Sequence, residues 1–205
     1  MEPTRLSEEE EELKVLLNRK NLRRLHANNL LVLESVDSTQ SYAADELRSN
    51  REGDVVISKV QTTGKGREGR SWHSQNGGLW MTIVLLPRFG EIVGRLLALA
   101  TGSIVETFRE FGLGCTIKLP NDVYYNGRKI AGVLADAVIQ GSESIVYLGI
   151  GVNINNDPTE IERISATATS LFKETGRKEN LIKFAASLIE NLDRKYDESI
   201  RGAKI

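Results

Sequence analysis

The chain is predicted to fold as an α+β domain, a mixed and largely antiparallel β-sheet backed by helices. Strand and helix patterns are interspersed without the regular strand-helix alternation that builds a doubly wound parallel sheet. A tight hairpin signal sits at Tyr125-Asn126-Gly127-Arg128, where Asn-Gly tolerates the positive φ angles of a type I′ turn. Two long stretches, 92–111 and 181–196, carry apolar residues at helical spacing.

The elements follow in order. Residues 7–25 begin with a run of glutamates and finish with Arg19, Lys20, Arg23 and Arg24, the charge order that suits a helix dipole, with Leu13, Leu16 and Leu17 as the apolar stripe. This predicts an N-terminal helical extension over 1–28 ahead of one domain over 29–205. Its basic end reads as a solvated helix face, with contact to DNA as the alternative. Segments 30–36, 54–60 and 79–86 read as strands. Asp37 and Ser38 can cap a helix that starts near Thr39 and carries Tyr42, Ala43, Ala44 and Leu47. After the 92–111 helix, the Asn-Gly hairpin turns the chain so that Lys129 re-enters the sheet. Segments 130–139 and 144–154 form a second antiparallel pair about Gln140-Gly141, and 181–196 is a closing helix.

With 205 residues and a hydrophobic fraction of 40%, the chain can hold one substantial core. Its net charge is -1 and its pI about 6.2, so the whole molecule has no electrostatic reason to favour nucleic acid or a membrane surface. There is one cysteine, Cys115, no signal-peptide pattern at the acidic start, and no apolar run long enough to span a bilayer. A cytoplasmic protein is expected.

The positive charge that matters is local. Gln61-Thr62-Thr63-Gly64-Lys65-Gly66-Arg67-Glu68-Gly69-Arg70-Ser71-Trp72 combines three glycines, which let the backbone N–H groups approach a ligand, with Lys65, Arg67 and Arg70. Gly64-x-Gly66-x-x-Gly69 matches the dinucleotide fingerprint literally, but the polar continuation from Arg70 to Gly78 has no helical period, and the fingerprint needs a helix there. No Gly-Lys-Ser or Gly-Lys-Thr makes it a P-loop. It reads instead as a loop that is disordered without ligand and orders over a bound anion, with a flexible basic surface turn as the plain alternative. A second block, Lys118-Leu119-Pro120-Asn121-Asp122 running on to Lys129-Ile130-Ala131-Gly132, adds a carboxamide, a carboxylate and another lysine. Such a site suits a carboxylate and a phosphate brought together, two anions that react only when both are neutralised. That is the requirement for making an acyl adenylate.

These two segments, with Val36-Asp37-Ser38-Thr39-Gln40, Asn76-Gly77-Gly78-Leu79-Trp80 and Gly149-Ile150-Gly151-Val152-Asn153-Ile154-Asn155, resemble the catalytic domain of the biotin protein ligases. The match runs over roughly residues 30 to 200, and motifs in the family's order are far more specific together than singly. The resemblance implies the catalytic fold of biotin and lipoate ligases, related to class II aminoacyl-tRNA synthetases. It implies ATP with Mg²⁺ as cofactors, biotin as substrate, a lysine of a biotin carboxyl carrier protein as acceptor, and no nucleic-acid or membrane partner. Relatives of this kind often dimerise through the sheet, so a homodimer is among the implied assemblies. Many also carry an N-terminal winged helix-turn-helix and a C-terminal β-barrel; one N-terminal helix cannot make the first, and too few residues follow 181–196 to build the second. No repressor activity is expected.

Residue by residue, the resemblance assigns Ser38, Thr39, Gln61 and Gly64 to the biotin ureido ring and chain, although Ser38 and Thr39 also suit simple helix capping. Arg67 and Lys129 would bind the reacting carboxylate and α-phosphate, and Gly132 would leave room for ligand. Arg70, Trp72 and Asn121 would lie near the nucleotide, and Asn153 would read the adenine ring. Asp122 could help position Mg²⁺ or a neighbouring cation, or cap an Asx-turn. Lys65 is assigned with Arg67 and Lys129 to biotin binding and catalysis, but it stands where the family usually has arginine and lacks the fork that clamps two oxygens. Leu119 stands where relatives have tryptophan and reads as a smaller wall residue. His26 and His73 have no metal-ligand spacing, and Cys115 reads as a buried thiol, although related octanoyl transferases use a cysteine nucleophile. A lipoate or octanoate ligase or transferase of the same fold, and a non-catalytic biotin or adenylate sensor, are the rival readings.

Overall fold

The computed structural model describes residues 3–26, 29–47, 51–87, 93–140, 143–160, 164 and 166–202. Seven strands form one sheet in the spatial order β1-β2-β3-β7-β6-β5-β4. They are β1 (Leu30–Val36), β2 (Val55–Gln61), β3 (Leu79–Leu85), β4 (Thr116–Lys118), β5 (Asp122–Tyr125), β6 (Arg128–Gln140) and β7 (Glu143–Val152). The helices are α1 (Ser7–Asn18), α2 (Thr39–Glu46), α3 (Val93–Glu110), α4 (Leu171–Thr175) and α5 (Leu181–Gly202). β1 and β2 run parallel, with α2 in the crossover between them, and the other neighbouring pairs are antiparallel. The mixed, mainly antiparallel sheet backed by helices is as the sequence predicts.

The two faces of the sheet are covered unequally, and this creates the cleft. On one face Leu79, Met81, Ile83 and Leu85 of β3 pack with Ile104 and Phe108 of α3 and with Phe184, Leu188 and Leu192 of α5. Phe108 and Phe184 meet edge to face at 5.3 Å. Leu13 and Leu17 of α1 and Leu25 join the same core. The other face has α2, whose Ala43 packs with Leu33, Val36, Val56 and Val84. An eight-residue helix cannot roof seven strands, and beyond it β6 and β7 carry Gly132, Gly149 and Gly151.

The predicted hairpin joins β5 to β6, with Asn126 at φ 47° and Gly127 at φ 75°. Residue 92, expected at the start of α3, and residue 141, expected in the β6–β7 turn, lie outside the described residues. α5 runs on to Gly202, beyond its expected end, and α4 was not anticipated.

The N-terminal segment differs from its prediction. α1 ends at Asn18 instead of reaching residue 25, because a buried carboxylate on α5 takes the backbone donors that a longer helix would use. The N–H groups of Arg23, Arg24 and Leu25 donate to Asp193 at 2.8, 2.8 and 2.7 Å. The guanidinium groups of Arg23 and Arg24 reach Asp197 at 2.9 and 3.1 Å, joined by Arg201 at 2.8 Å. Two of the basic residues read as a solvated face are therefore a clamp between the chain's two ends. Upstream, Leu6 N–H donates to Val32 O and Glu34 N–H to Thr4 O, at 2.7 and 2.9 Å, which closes the β1 edge of the sheet.

The Arg23 hydrogen bond first, with Arg201 and Arg24 behind it, outweighs burial and holds the Asp197 carboxyl below its usual 3.8. Because the folded pKa is lowered, the clamp's contribution is present above 3.8 and is lost as pH falls through the folded value. Asp197→Ala is expected to cost about 1–2 kcal/mol, since the arginines stay partly solvated. Urea unfolding checks this: the midpoint should fall at pH 7 with an unchanged slope, and the gap from wild type should narrow toward pH 3.

Candidate active site

The cleft encloses about 270 Å³ between the glycine-bearing part of the sheet and the 64–72 loop. Thr39, Gln61, Lys65, Arg67, Arg70, Trp72, Asn121, Asp122, Lys129, Gly132 and Asn153 all line it. Of the site residues named from sequence, Gly64 lines a shallower recess of about 830 Å³ on the outer side of the same loop. Ser38 lines neither space, and although it precedes α2 its side chain makes no capping bond.

One end of the cleft is a polar relay. Gln61 Oε1 accepts from both the backbone N–H and the hydroxyl of Thr39, at 2.8 and 3.0 Å, while Gln61 Nε2 donates to Ser74 Oγ at 2.6 Å. Thr82 donates to Thr39 Oγ1 at 2.9 Å from the adjoining strand. These bonds fix the Gln61 carboxamide's orientation. Gly64 is demanded by close approach: a Cβ there would sit 2.4 Å from Trp72 O and 2.7 Å from Ser74 Oγ.

The loop is a small closed hairpin. Trp72 N–H donates to Gly64 O at 2.8 Å, Gly66 N–H to Arg70 O at 2.7 Å and Arg70 N–H to Arg67 O at 3.1 Å. Glu68 holds a left-handed φ of 58° at its tip. The expectation of a loop without order thus meets a formed hairpin, because its own backbone groups satisfy one another. Arg67 is aimed across the cleft, its Nη1 donating to Asn121 Oδ1 at 2.9 Å, and Asn121 Nδ2 is anchored on Val133 O at 2.8 Å.

Lys129 enters from β6. Its Nζ lies 2.6 Å from Asp122 Oδ1 and 5.0 Å from the centre of the Trp72 ring. The Asp122 contact is an ion pair without good hydrogen-bond geometry. The carboxylate is thus turned toward the lysine rather than spent on an Asx-turn. Lys129 is also held through its backbone, with its N–H on Thr167 O at 2.8 Å and its C=O accepting from Thr169 N–H at 2.9 Å.

Trp72 lies flat where the sheet has no side chains. A Cβ on Gly151 would meet the indole at 2.6 Å and one on Gly132 at 3.1 Å. The Trp72 Nε1–H is buried without a hydrogen-bond partner, whereas Trp80 is a core residue whose Nε1–H donates to Lys59 O and Gln75 O. Asn153 is already tied down: its Nδ2 donates to Thr169 O and its Oδ1 accepts from Asn156 Nδ2, both at 3.0 Å.

Leu119 is not a wall of the cleft; it is 78% exposed in the turn before Pro120. Sequence reasoning missed Gln40, Tyr124, Ile164, Thr167 and Ala168, which all line the cleft. Gln40 was within a quoted motif, and its signal was the paired Gly149, where a Cβ would sit 2.7 Å from the Gln40 carboxamide. His73, given no role, also lines the cleft. Cys115 is buried, and burial first, with the Glu174 charge adding, pushes its thiol up to about 12.

A mixed sheet carrying a cation-lined cleft behind a glycine-rich hairpin has the catalytic fold of the biotin and lipoate ligases. The chain belongs to the biotin/lipoate A/B protein ligase family, which matches residues 32–153. It is 36% identical to the bifunctional ligase/repressor BirA of Bacillus subtilis over 157 residues, covering 72% of this chain and 48% of that protein. It is 32% identical to the biotin--[acetyl-CoA-carboxylase] ligase of Paracoccus denitrificans, covering 71% of this chain and 63% of that one. The structure of the biotin protein ligase of Aquifex aeolicus in complex with biotin and ATP superposes with a TM-score of 0.74 at 31% identity, covering 83% and 71% of the two chains. The chain spans about half the length of the Bacillus subtilis relative.

Gly151→Ala should displace the Trp72 indole without unfolding the core, so tryptophan emission should shift to the red while the melting temperature changes by a few degrees at most. Cys115 should not react with a thiol reagent at pH 8 until denaturant is added, because the thiolate is the nucleophile and burial keeps it protonated.

Proposed function

We propose that this protein is an ATP-dependent biotin protein ligase. The observation that carries the reading is the convergence of Arg67 and Lys129 on one cleft beside the Thr39–Gln61 relay. A relay of fixed donors and acceptors suits a neutral cyclic urea, and two cations near a carboxamide suit the meeting of a carboxylate with a phosphate. In the first step a biotin carboxylate oxygen bonds to the α-phosphorus of ATP as the bond from that phosphorus to the bridging oxygen of pyrophosphate breaks. In the second, a lysine amine of a biotin carboxyl carrier protein attacks the acyl carbonyl, AMP leaves, and the amine gives up a proton. Lys129 and Arg67 neutralise the charge that gathers on the α-phosphate.

Thr39, Gln61 and Gly64 would surround the biotin head, and Ser38 would support them from beneath. Gly132 keeps the floor clear. Arg70, Trp72 and Asn121 would face the nucleotide, and Asn153, from its fixed position, would offer its remaining hydrogen-bonding capacity to adenine. Asp122 would hold the Mg²⁺ that accompanies ATP, which agrees with a site of one carboxylate plus substrate phosphates. Among the described residues no cluster of three His, Cys, Asp or Glu forms a dedicated metal cage. A cytoplasmic setting and a homodimer go with this reading. Cys115 is remote from the reaction in character and gives no support to an octanoyl transferase.

Pyrophosphate release with ATP, Mg²⁺ and biotin tests the reading, with lipoate and octanoate as parallel substrates. Biotin-dependent release should fall about 100-fold or more in Lys129→Ala; biotin binding without release in the wild type would make the protein a sensor. Lys65→Arg should slow escape of biotinyl-AMP from the enzyme, because a planar fork replaces a point charge. An unchanged release rate would sink that explanation of Lys65.

A further inference from the structure

Lys118 was quoted as the start of a motif and given no role. Its register places it at the end of a row that crosses four strands on the cleft face: Lys118 pairs with Asp122, Asp122 with Gly132, and Gly132 with Gly151. Directly paired residues share a face of the sheet. At about 4.8 Å per strand, Lys118 therefore stands one strand outboard of the Asp122–Lys129 pair. Two residues along β5 from Asp122, on the same face, is Tyr124, which lines the cleft. Lys118 Nζ sits 5.0 Å from the centre of that ring.

Of the cations that line the cleft, Lys65 has no ion pair among the described residues and sits in the 64–72 loop, while the others have partners. Lys129 faces Asp122, Arg67 donates to Asn121 and lies 3.7 Å from Glu68, and Arg70 is 3.5 Å from the same glutamate. Among the described residues no carboxylate pairs with Lys118. It is a cation held in place by an aromatic face, not by an opposing charge, on the exposed β4 edge of the sheet.

We infer that Lys118, propped on Tyr124, binds the β- and γ-phosphates of ATP and the pyrophosphate that leaves. The inference rests on the ligase reading, in which the α-phosphate lies between Arg67 and Lys129. The remaining phosphates then extend away from the biotin head, and the sheet's open edge is the side from which an anion of high charge can depart. Lys118 takes no proton and forms no bond; it supplies charge to a group that gains negative charge as the phosphorus–oxygen bond breaks.

The test uses the intact protein with Lys118→Ala and Lys118→Arg; the side chain is exposed, so neither change disturbs the core. Inhibition of the forward reaction by added pyrophosphate is measured beside the binding of biotin and of preformed biotinyl-AMP, which lacks the two outer phosphates. In Lys118→Ala the inhibition constant for pyrophosphate and the KM for ATP should each rise about tenfold, Lys118→Arg should restore most of both, and biotin and biotinyl-AMP should bind as in wild type. An unchanged pyrophosphate constant, a loss of biotinyl-AMP binding of the same size, or an effect confined to the KM for the carrier protein would each overturn it. If the wild type shows no biotin-dependent turnover, the ligase reading itself has failed, and that outcome is distinct from all of these.

Discussion

The cleft depends on a patch of sheet with no side chains to fill it. Gly132 and Gly151 are register partners on β6 and β7, and Gly149 lies on the same face two residues before Gly151. A methyl group at Gly151 would meet the indole of Trp72 at 2.6 Å, and one at Gly149 would meet Gln40 at 2.7 Å. Glycine weakens a strand interior, and here the cost falls on two long strands paired with each other, the inner of which, β7, is flanked by β3, buried throughout. α3 and α5 supply the core from the opposite face. The stable half of the molecule therefore carries the half that must stay open.

On that floor the chain assembles positive charge while staying nearly neutral as a whole. Three of the cations are restrained by different physical means. Lys129 has a carboxylate at 2.6 Å, Arg67 a carboxamide at 2.9 Å, and Lys118 an aromatic ring. The neutral partners restrain position without cancelling charge, so the field they can offer an anion is retained. Asp122 beside Lys129, and the exposed Glu68 near Arg67 and Arg70, limit the repulsion among the cations when no anion lies between them.

How much could be read in advance followed from how local the signal was. The Asn-Gly turn, the strand at Leu30–Val36 and the start of α2 at Thr39 are specified within a few residues, and they were legible. The cleft's lining was legible because loop and lysine motifs carry their chemistry in residue type and spacing. What failed were contacts between distant parts of the chain. Asp193 gives no hint in sequence that it will take the backbone of residues 23–25 and stop α1 early, nor Asp197 that it will gather the arginine side chains. Leu119 looked like a wall residue by its place in a motif, but exposure is decided by how the 119–122 turn meets the rest of the sheet. The formed hairpin at 64–72 is a similar case: glycine and charge suggested mobility, and the closing backbone bonds could not be seen.

The backbone of Lys129 is bonded to Thr167 and Thr169, and the side chain of Asn153, the residue after β7, holds Thr169. Lys129 and the threonines on either side of Ala168 are therefore one mechanical piece. Under the ligase reading proposed above, a base pressing on Thr167 or Ala168 would push on the strand that aims the Lys129 ammonium group, so a poor fit at one end would be felt as misalignment at the other. In that reading selectivity for the nucleotide would need no separate sensor: the lever arm between recognition and reaction would be a pair of peptide hydrogen bonds.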